Sequence, residues 1–273
     1  MQYKLHHPTS SDDTRRCEAY QYSTGKDLKN CDEEKCQGKP PAMKQEPTQE
    51  KHHTIRLDVH GRPKPMMRGW IHAVTAPLAL ASGIVLICIS HGLALKLACS
   101  VFMISSLALF GNSALYHLGN WSPEVTDILR RLDHVNIFLL IAGTYTPISF
   151  ALSPSWRRLI LIGIWTGTIV VMFIHVIWIS APRWLYTSVY IIFGVAGIGF
   201  MGLFWKSPVA GPAVVWLLIA GGLCYIAGAV VYASRKPDPW PKVLGFHEIF
   251  HGGTVAGYVC HVVAIYLVVC HLM

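Results

Sequence analysis

The sequence predicts an all-α integral membrane protein, a bundle of seven transmembrane helices with a cytoplasmic N-terminus and a C-terminus outside. Three observations lead there. Of 273 residues, 52% are hydrophobic and only 14% charged, whereas soluble domains carry about 25% charged residues. The charge is also segregated. Of 23 Lys+Arg, 13 lie at or before Arg68, and of 15 Asp+Glu, 10 lie at or before Asp58. The remainder divides into seven apolar stretches, each near the roughly 20 residues that cross the hydrocarbon layer. A conventional soluble enzyme is excluded, because residues 69–273 hold too few charges to dress a surface in water.

The chain opens with a polar segment, residues 1–67. It has few large apolar side chains, and runs such as GKPPAMKQEPTQEKHH show neither helical nor strand periodicity. Such a composition predicts a disordered cytoplasmic tail ahead of a membrane domain at 68–273. No apolar core with a small-residue cleavage site opens the tail, so the first membrane helix directs insertion. The tail's basic residues are largely offset by its acidic ones and no nucleic-acid motif is present, which argues against a nucleic-acid partner. Membrane lipids are the expected partner, with Arg56, Arg62, Lys64 and Arg68 placed to meet anionic headgroups. Cys17, Cys31 and Cys36 lie in the tail without a zinc spacing. Cys88, Cys99, Cys224, Cys260 and Cys270 fall in apolar stretches, as small core or lipid-facing residues.

The seven stretches are 70–90, 94–118, 131–152, 157–179, 184–204, 212–233 and 246–270. The separators SHG, GNWSPEVTDILR, SPSW, SAPR, WKSPVAG and SRKPDPWPK are rich in Pro, Gly and Ser, which stop helices. Trp121, Trp156, Trp184, Trp205 and Trp240 fall where an interfacial aromatic belt belongs. Glu124, Asp127 and Asp238 read as solvated loop charges. Placing the tail inside puts Arg130, Arg131, Arg183, Arg235, Lys236 and Lys242 on its side. Lys96, Arg157, Arg158 and Lys206 are left opposite, a balance of 19 against 4. Cytoplasmic loops carry the excess of Lys and Arg, and this fixes the orientation.

Ionisable groups inside a membrane are costly and mark function. His175 and His261 read as hydrogen-bonded interior residues, while His72, His91 and His271 sit near span ends, where an imidazole reaches water. His247 and His251, in HEIFH, are four apart, so on a helix they share a face about 6 Å apart along the axis. The alternating direction of the spans brings His117 to the same depth, with Ser113 one turn before it and Asp133 at the start of the third span. Three imidazoles with one open position make a catalytic zinc arrangement. Zinc lowers the pKa of water it holds to about 7, and a nearby carboxylate handles the proton, with Asp133 as candidate and Ser113 in support. HEIFH also satisfies the HExxH of zinc proteases, with Glu248 as base. Alternatively Glu248 reaches headgroups or pairs with Arg130 or Arg131.

SALYHLG (Ser113–Gly119), RRLDHVNIFLLIAGTYTP (Arg130–Pro147) and HEIFH (His247–His251) together resemble the hemolysin III branch of the progestin and adipoQ receptor family. The resemblance runs from about Arg68 to His271 and excludes the tail. It implies a seven-helix fold, a zinc ion near the inner leaflet held by His117, His247 and His251, and Asp133 and Ser113 as its polar neighbours. It also implies kinship with alkaline ceramidases, and hence hydrolysis of a lipid amide or ester. Three other readings stay open: a receptor or membrane-homeostasis protein with structural zinc, a cytolytic haemolysin, and the HExxH protease.

Overall fold

The computed structural model describes residues 65–177, 188–189, 191–192 and 194–273. All of them fall within the second of the two units into which the chain divides, Thr54–Met273. The expectations for the tail through Lys64 and for Arg183 lie outside the described residues. The described part is helical: α1 Trp70–Ile89, α2 Leu93–Leu118, α3 Pro123–Ile148, α4 Pro154–Ile177, α5 Met201–Lys206, α6 Gly211–Ser234 and α7 Phe246–His271. Short 3-10 turns occupy Ser149–Ala151 and Ala196–Phe200, and no strand is formed among the described residues.

Six of these helices are long and apolar enough to cross a bilayer. At 1.5 Å per residue, the shortest, α1, spans about 30 Å, the thickness of the hydrocarbon layer. Their outer faces carry exposed Val74, Leu78, Ile104, Ile162, Phe173 and Trp216. In water these positions would oppose folding; against lipid tails they cost nothing, because the solvent is as apolar as the side chain.

The third helix begins at Pro123, eight residues before the predicted start of its apolar stretch. Ser122 caps it, accepting the Val125 N–H at 3.4 Å, and Pro123 occupies the first turn, where its missing N–H costs nothing. Glu124 and Asp127 therefore lie on an exposed helical extension rather than in a loop, and Arg130 pairs with Asp127 at 2.9 Å.

Interhelical contacts give each helix its direction. Ser90 meets Cys99, and Asn136 Nδ2 donates to the Ala108 carbonyl, so α1 to α3 run up, down and up. Trp165 Nε1 donates to Thr146 Oγ1, turning α4 down. Tyr266 bonds Ser82, as His251 meets His72, making α7 parallel to α1. Against α7 lies α6, antiparallel and very close: a Cβ on Gly253 would stand 3.0 Å from the Cys224 carbonyl and 3.1 Å from Gly228 Cα. Only glycine permits that backbone approach. Helices α4 and α6 thus point the same way. With α1 and α7 parallel, Pro65 and Met273 lie at opposite ends of the described bundle.

The fifth predicted span, 184–204, is described only in part: the 3-10 turn Ala196–Phe200 leads directly into α5. At the end of the bundle away from Pro65, Ser207 Oγ donates to the Ala151 carbonyl and accepts the N–H groups of Val209 and Ala210. The core between the helices is built from Phe102, Phe110, Leu140, Ile148, Ile265 and their neighbours.

Candidate metal centre

Three helix ends meet where α1 begins, and each delivers part of a polar cluster. The last turn of α2 brings His117, the first turns of α7 bring His247 and His251, and the first turn of α1 brings His72. Helical periodicity puts His247 and His251 on one face, and the Gly253 contact with α6 fixes the rotation and depth of that face. Gly69, at φ +86°, turns the chain into α1, and a Cβ there would sit 2.8 Å from His117 Cβ. The segment before α1 is held over this end of the bundle. Met66 and Met67 donate backbone N–H groups to the carbonyls of Lys242 and Val243 in the loop before α7, at 3.0 and 3.2 Å.

The ring nitrogens offered by His117, His247 and His251 all lie within 4.8 Å of one another. His117 Nε2 and His247 Nε2 are 3.2 Å apart. Two nitrogens bound to tetrahedral zinc at 2.0–2.1 Å stand about 3.3 Å apart, so this spacing already suits a shared ion. It also suits a direct N–H···N hydrogen bond, but a hydrogen bond joins only two rings, and the third ring is equally close. The centroid distances are 4.9 Å for His117–His247, 5.1 Å for His117–His251 and 4.6 Å for His247–His251. A donor set of three imidazoles fits zinc chemistry, with a fourth position left for a small molecule.

The predicted carboxylate is not part of this cluster, and the predicted hydroxyl stands one turn before His117 on α2. Asp133 is half-buried on α3 and is not among the groups whose donor atoms converge. It faces Ser113, whose Oγ is buried and makes no hydrogen bond within the protein. It stands ten residues into α3 rather than in its first turn, because α3 starts at Pro123.

Glu248 has a different occupation. Its side chain is fully buried, Oε1 accepts from Arg68 Nε at 2.8 Å, and Oε2 accepts the Gly245 N–H at 2.8 Å. It closes the N-terminus of α7 and ties it to the segment before α1. Neither Arg130 nor Arg131 is its partner; Arg68 is. Asp238, a loop residue as expected, caps the same terminus by accepting the Phe246 N–H at 3.0 Å. A carboxylate engaged twice in this way is the helix-capping partner that α7 requires.

One imidazole was misread in the sequence. His72 is not at a water-reachable span end but buried, with its ring flat on that of His251, centroids 3.9 Å apart and planes at 10°. His261, in contrast, is the interior residue expected, with Nε2 3.3 Å from the Leu218 carbonyl.

Deeper in the bundle an apolar cavity of about 190 Å³ lies between α3, α6, α7 and the stretch before α5. Its lining includes Ile137, Leu140, Tyr145, Ile226, Phe250 and Thr254. Phe250 links it to the cluster, with ring centroids 5.6 Å from His251 and 6.0 Å from His247.

These features define a multi-pass helical membrane protein with a buried three-imidazole centre of the metal-binding kind. The profile of the Haemolysin-III related family matches residues 60–262, and the chain belongs to that family. Hemolysin-3 of Bacillus cereus is 31% identical over 200 residues, covering 69% of this chain and 86% of the relative. The hemolysin-3 homolog of Bacillus subtilis is 30% identical over 169 residues, 59% of this chain and 74% of the relative. The adiponectin receptor protein of Drosophila melanogaster is 27% identical over 184 residues, 61% of this chain and 41% of the relative. The similarity to both hemolysin-3 and receptor proteins agrees with the hemolysin III branch that the motifs resemble.

Proposed function

We propose that the protein is a zinc-dependent hydrolase of a lipid amide or ester, working at the cytoplasmic side of the membrane. The observation that supports this reading is the adjacency of the three-imidazole cluster to an apolar cavity through Phe250. A polar head can meet the imidazoles while its hydrocarbon lies among Ile137, Leu140 and Ile226. His117, His247 and His251 would hold the ion, which would supply a Lewis acid for the scissile carbonyl and activate water. Asp133 would take up the water's proton on a carboxylate oxygen, and Ser113, which Asp133 faces, would help to aim the carboxylate. The contacts of Glu248 with Arg68 and Gly245 support a role as the anchor of α7 rather than as the base, which speaks against the protease reading. The cytoplasmic placement is supported by Arg68, Arg130, Arg131, Arg235, Lys236 and Lys242 gathering at the end that holds the cluster.

The relative named as an adiponectin receptor favours a second reading, a receptor in which the ion is structural. One experiment separates the two. Purified zinc-loaded protein in lipid nanodiscs is given a panel of N-acyl and O-acyl lipids, and fatty-acid release is followed. The hydrolase reading expects release that stops on chelation and returns with zinc. Ligand binding without release across the panel favours the receptor.

A further inference from the structure

We propose that His72 is a ligand-binding residue of this centre, whose imidazole hydrogen-bonds an oxygen function of the molecule that occupies the site. The side chain is 2% exposed, and both ring nitrogens are buried without a hydrogen-bond partner in the protein. The His251 backbone approaches the ring but does not reach hydrogen-bond geometry. A neutral imidazole carries one donor and one acceptor nitrogen, and leaving either unmet in a dry interior is costly. Packing alone does not explain the residue. The ring lies between the face of His251 and Phe110, whose centroid is 5.1 Å away at an interplanar angle of 72°. Phenylalanine would fill that slot with no polar atom to satisfy.

The position shows what the nitrogens serve. His72 lies against one ring of the triad, yet it is not among the groups whose donor atoms converge on one point. It is therefore a wall of the centre rather than a fourth corner. A molecule held at the triad through one oxygen presents its neighbouring groups to that wall. Carboxylate, carbonyl and hydroxyl oxygens are the class that an imidazole nitrogen serves, by donating to any of them or accepting from the last. That the molecule is a lipid rests on the function proposed above. That it bears oxygen at the centre does not.

The test uses cobalt as a visible stand-in for zinc and octanohydroxamate as the probe, titrated into cobalt-loaded protein in detergent while the visible bands are followed. His72→Phe keeps the ring and removes both nitrogens; His72→Gln keeps hydrogen bonding and loses the ring. The expected result is that His72→Phe binds cobalt as the parent does but binds hydroxamate about tenfold more weakly, the loss of one buried hydrogen bond, with His72→Gln between the two. If the Phe variant does not fold, His72→Leu against His72→Gln supplies the same comparison. Equal hydroxamate affinity in parent and Phe variant overturns the proposal and leaves His72 as packing. Loss of cobalt itself in a folded Phe variant also overturns it, by assigning His72 to holding His251. A parent that takes up no hydroxamate overturns it as well. A parent that binds hydroxamate through His72 but turns over no lipid removes the hydrolase reading and leaves this one standing.

Discussion

Replacing Glu248 by Gln tests whether HEIFH is a protease motif or a structural joint. The carboxylate makes two contacts of 2.8 Å, one to Arg68 and one to the Gly245 N–H. Breaking a fully buried ion pair by removing one partner costs about 3–5 kcal/mol. Here the Arg68 side chain is 24% exposed, so the cation left behind regains water and the cost falls. Glutamine also keeps an oxygen for Gly245. The expected destabilisation is about 1–2 kcal/mol for Glu248→Gln. Glu248→Ala, which also strips the helix cap, should lose about 2–4 kcal/mol. At about 2–4 °C per kcal/mol for a domain of this size, the Gln variant melts a few degrees lower and the Ala variant about 5–15 °C lower. Tryptophan fluorescence melts in detergent, with zinc content measured on the same samples, read both effects. Arg68→Gln should cost a similar amount, and the double variant should cost less than the two losses added, since the variants share one interaction. Hydrolysis by folded Glu248→Gln should stay near that of the parent. A Glu248→Gln variant of undiminished stability but without activity would refute this reasoning and restore the carboxylate as a base.

Three other outcomes are expected. Asp133→Asn should keep zinc and lose at least about 100-fold in hydrolysis, the usual scale of a lost general base; retained activity in a zinc assay-matched sample removes Asp133 from the chemistry. Gly253→Ala, whose Cβ meets the Cys224 carbonyl at 3.0 Å, should push α6 from α7, lower stability by about 1–3 kcal/mol and weaken zinc binding, since α7 carries two of the three imidazoles; unchanged melting and zinc affinity contradict the packing assignment. Labels at the two termini should be reachable from opposite faces of intact cells, the N-terminal one only after permeabilisation; protection of both contradicts the odd number of crossings that the sequence predicts.

Much of this was legible in the sequence because the bilayer sets the length of each crossing. Five apolar stretches return as helices within a few residues, and a sixth, α3, starts eight residues early. The meeting of His117 with His247 and His251 follows from the parity of the crossings. Where the sequence reading departed from the structure, the deciding interaction was nonlocal or lay outside the apolar pattern. Hydropathy marks the part of α3 in lipid but not its polar start, which Ser122, Pro123 and Glu124 signal as a helix cap. Arg68 finds Glu248 across 180 positions of sequence, a pairing no spacing rule gives. His72 stands near a span end, and only the strap of Pro65–Arg68 held against Lys242 and Val243 shows that end to be covered.

Zinc K-edge absorption on the purified protein, beside metal analysis of the three single histidine-to-alanine variants, tests the central claim most directly. The expected result is about one zinc per chain with three imidazole nitrogens at 2.0–2.1 Å and a further light ligand, and a severe loss of zinc from His117→Ala as much as from His247→Ala or His251→Ala. A spectrum with sulfur ligands, or full zinc in the His117→Ala protein, would contradict a metal centre built from α2 and α7.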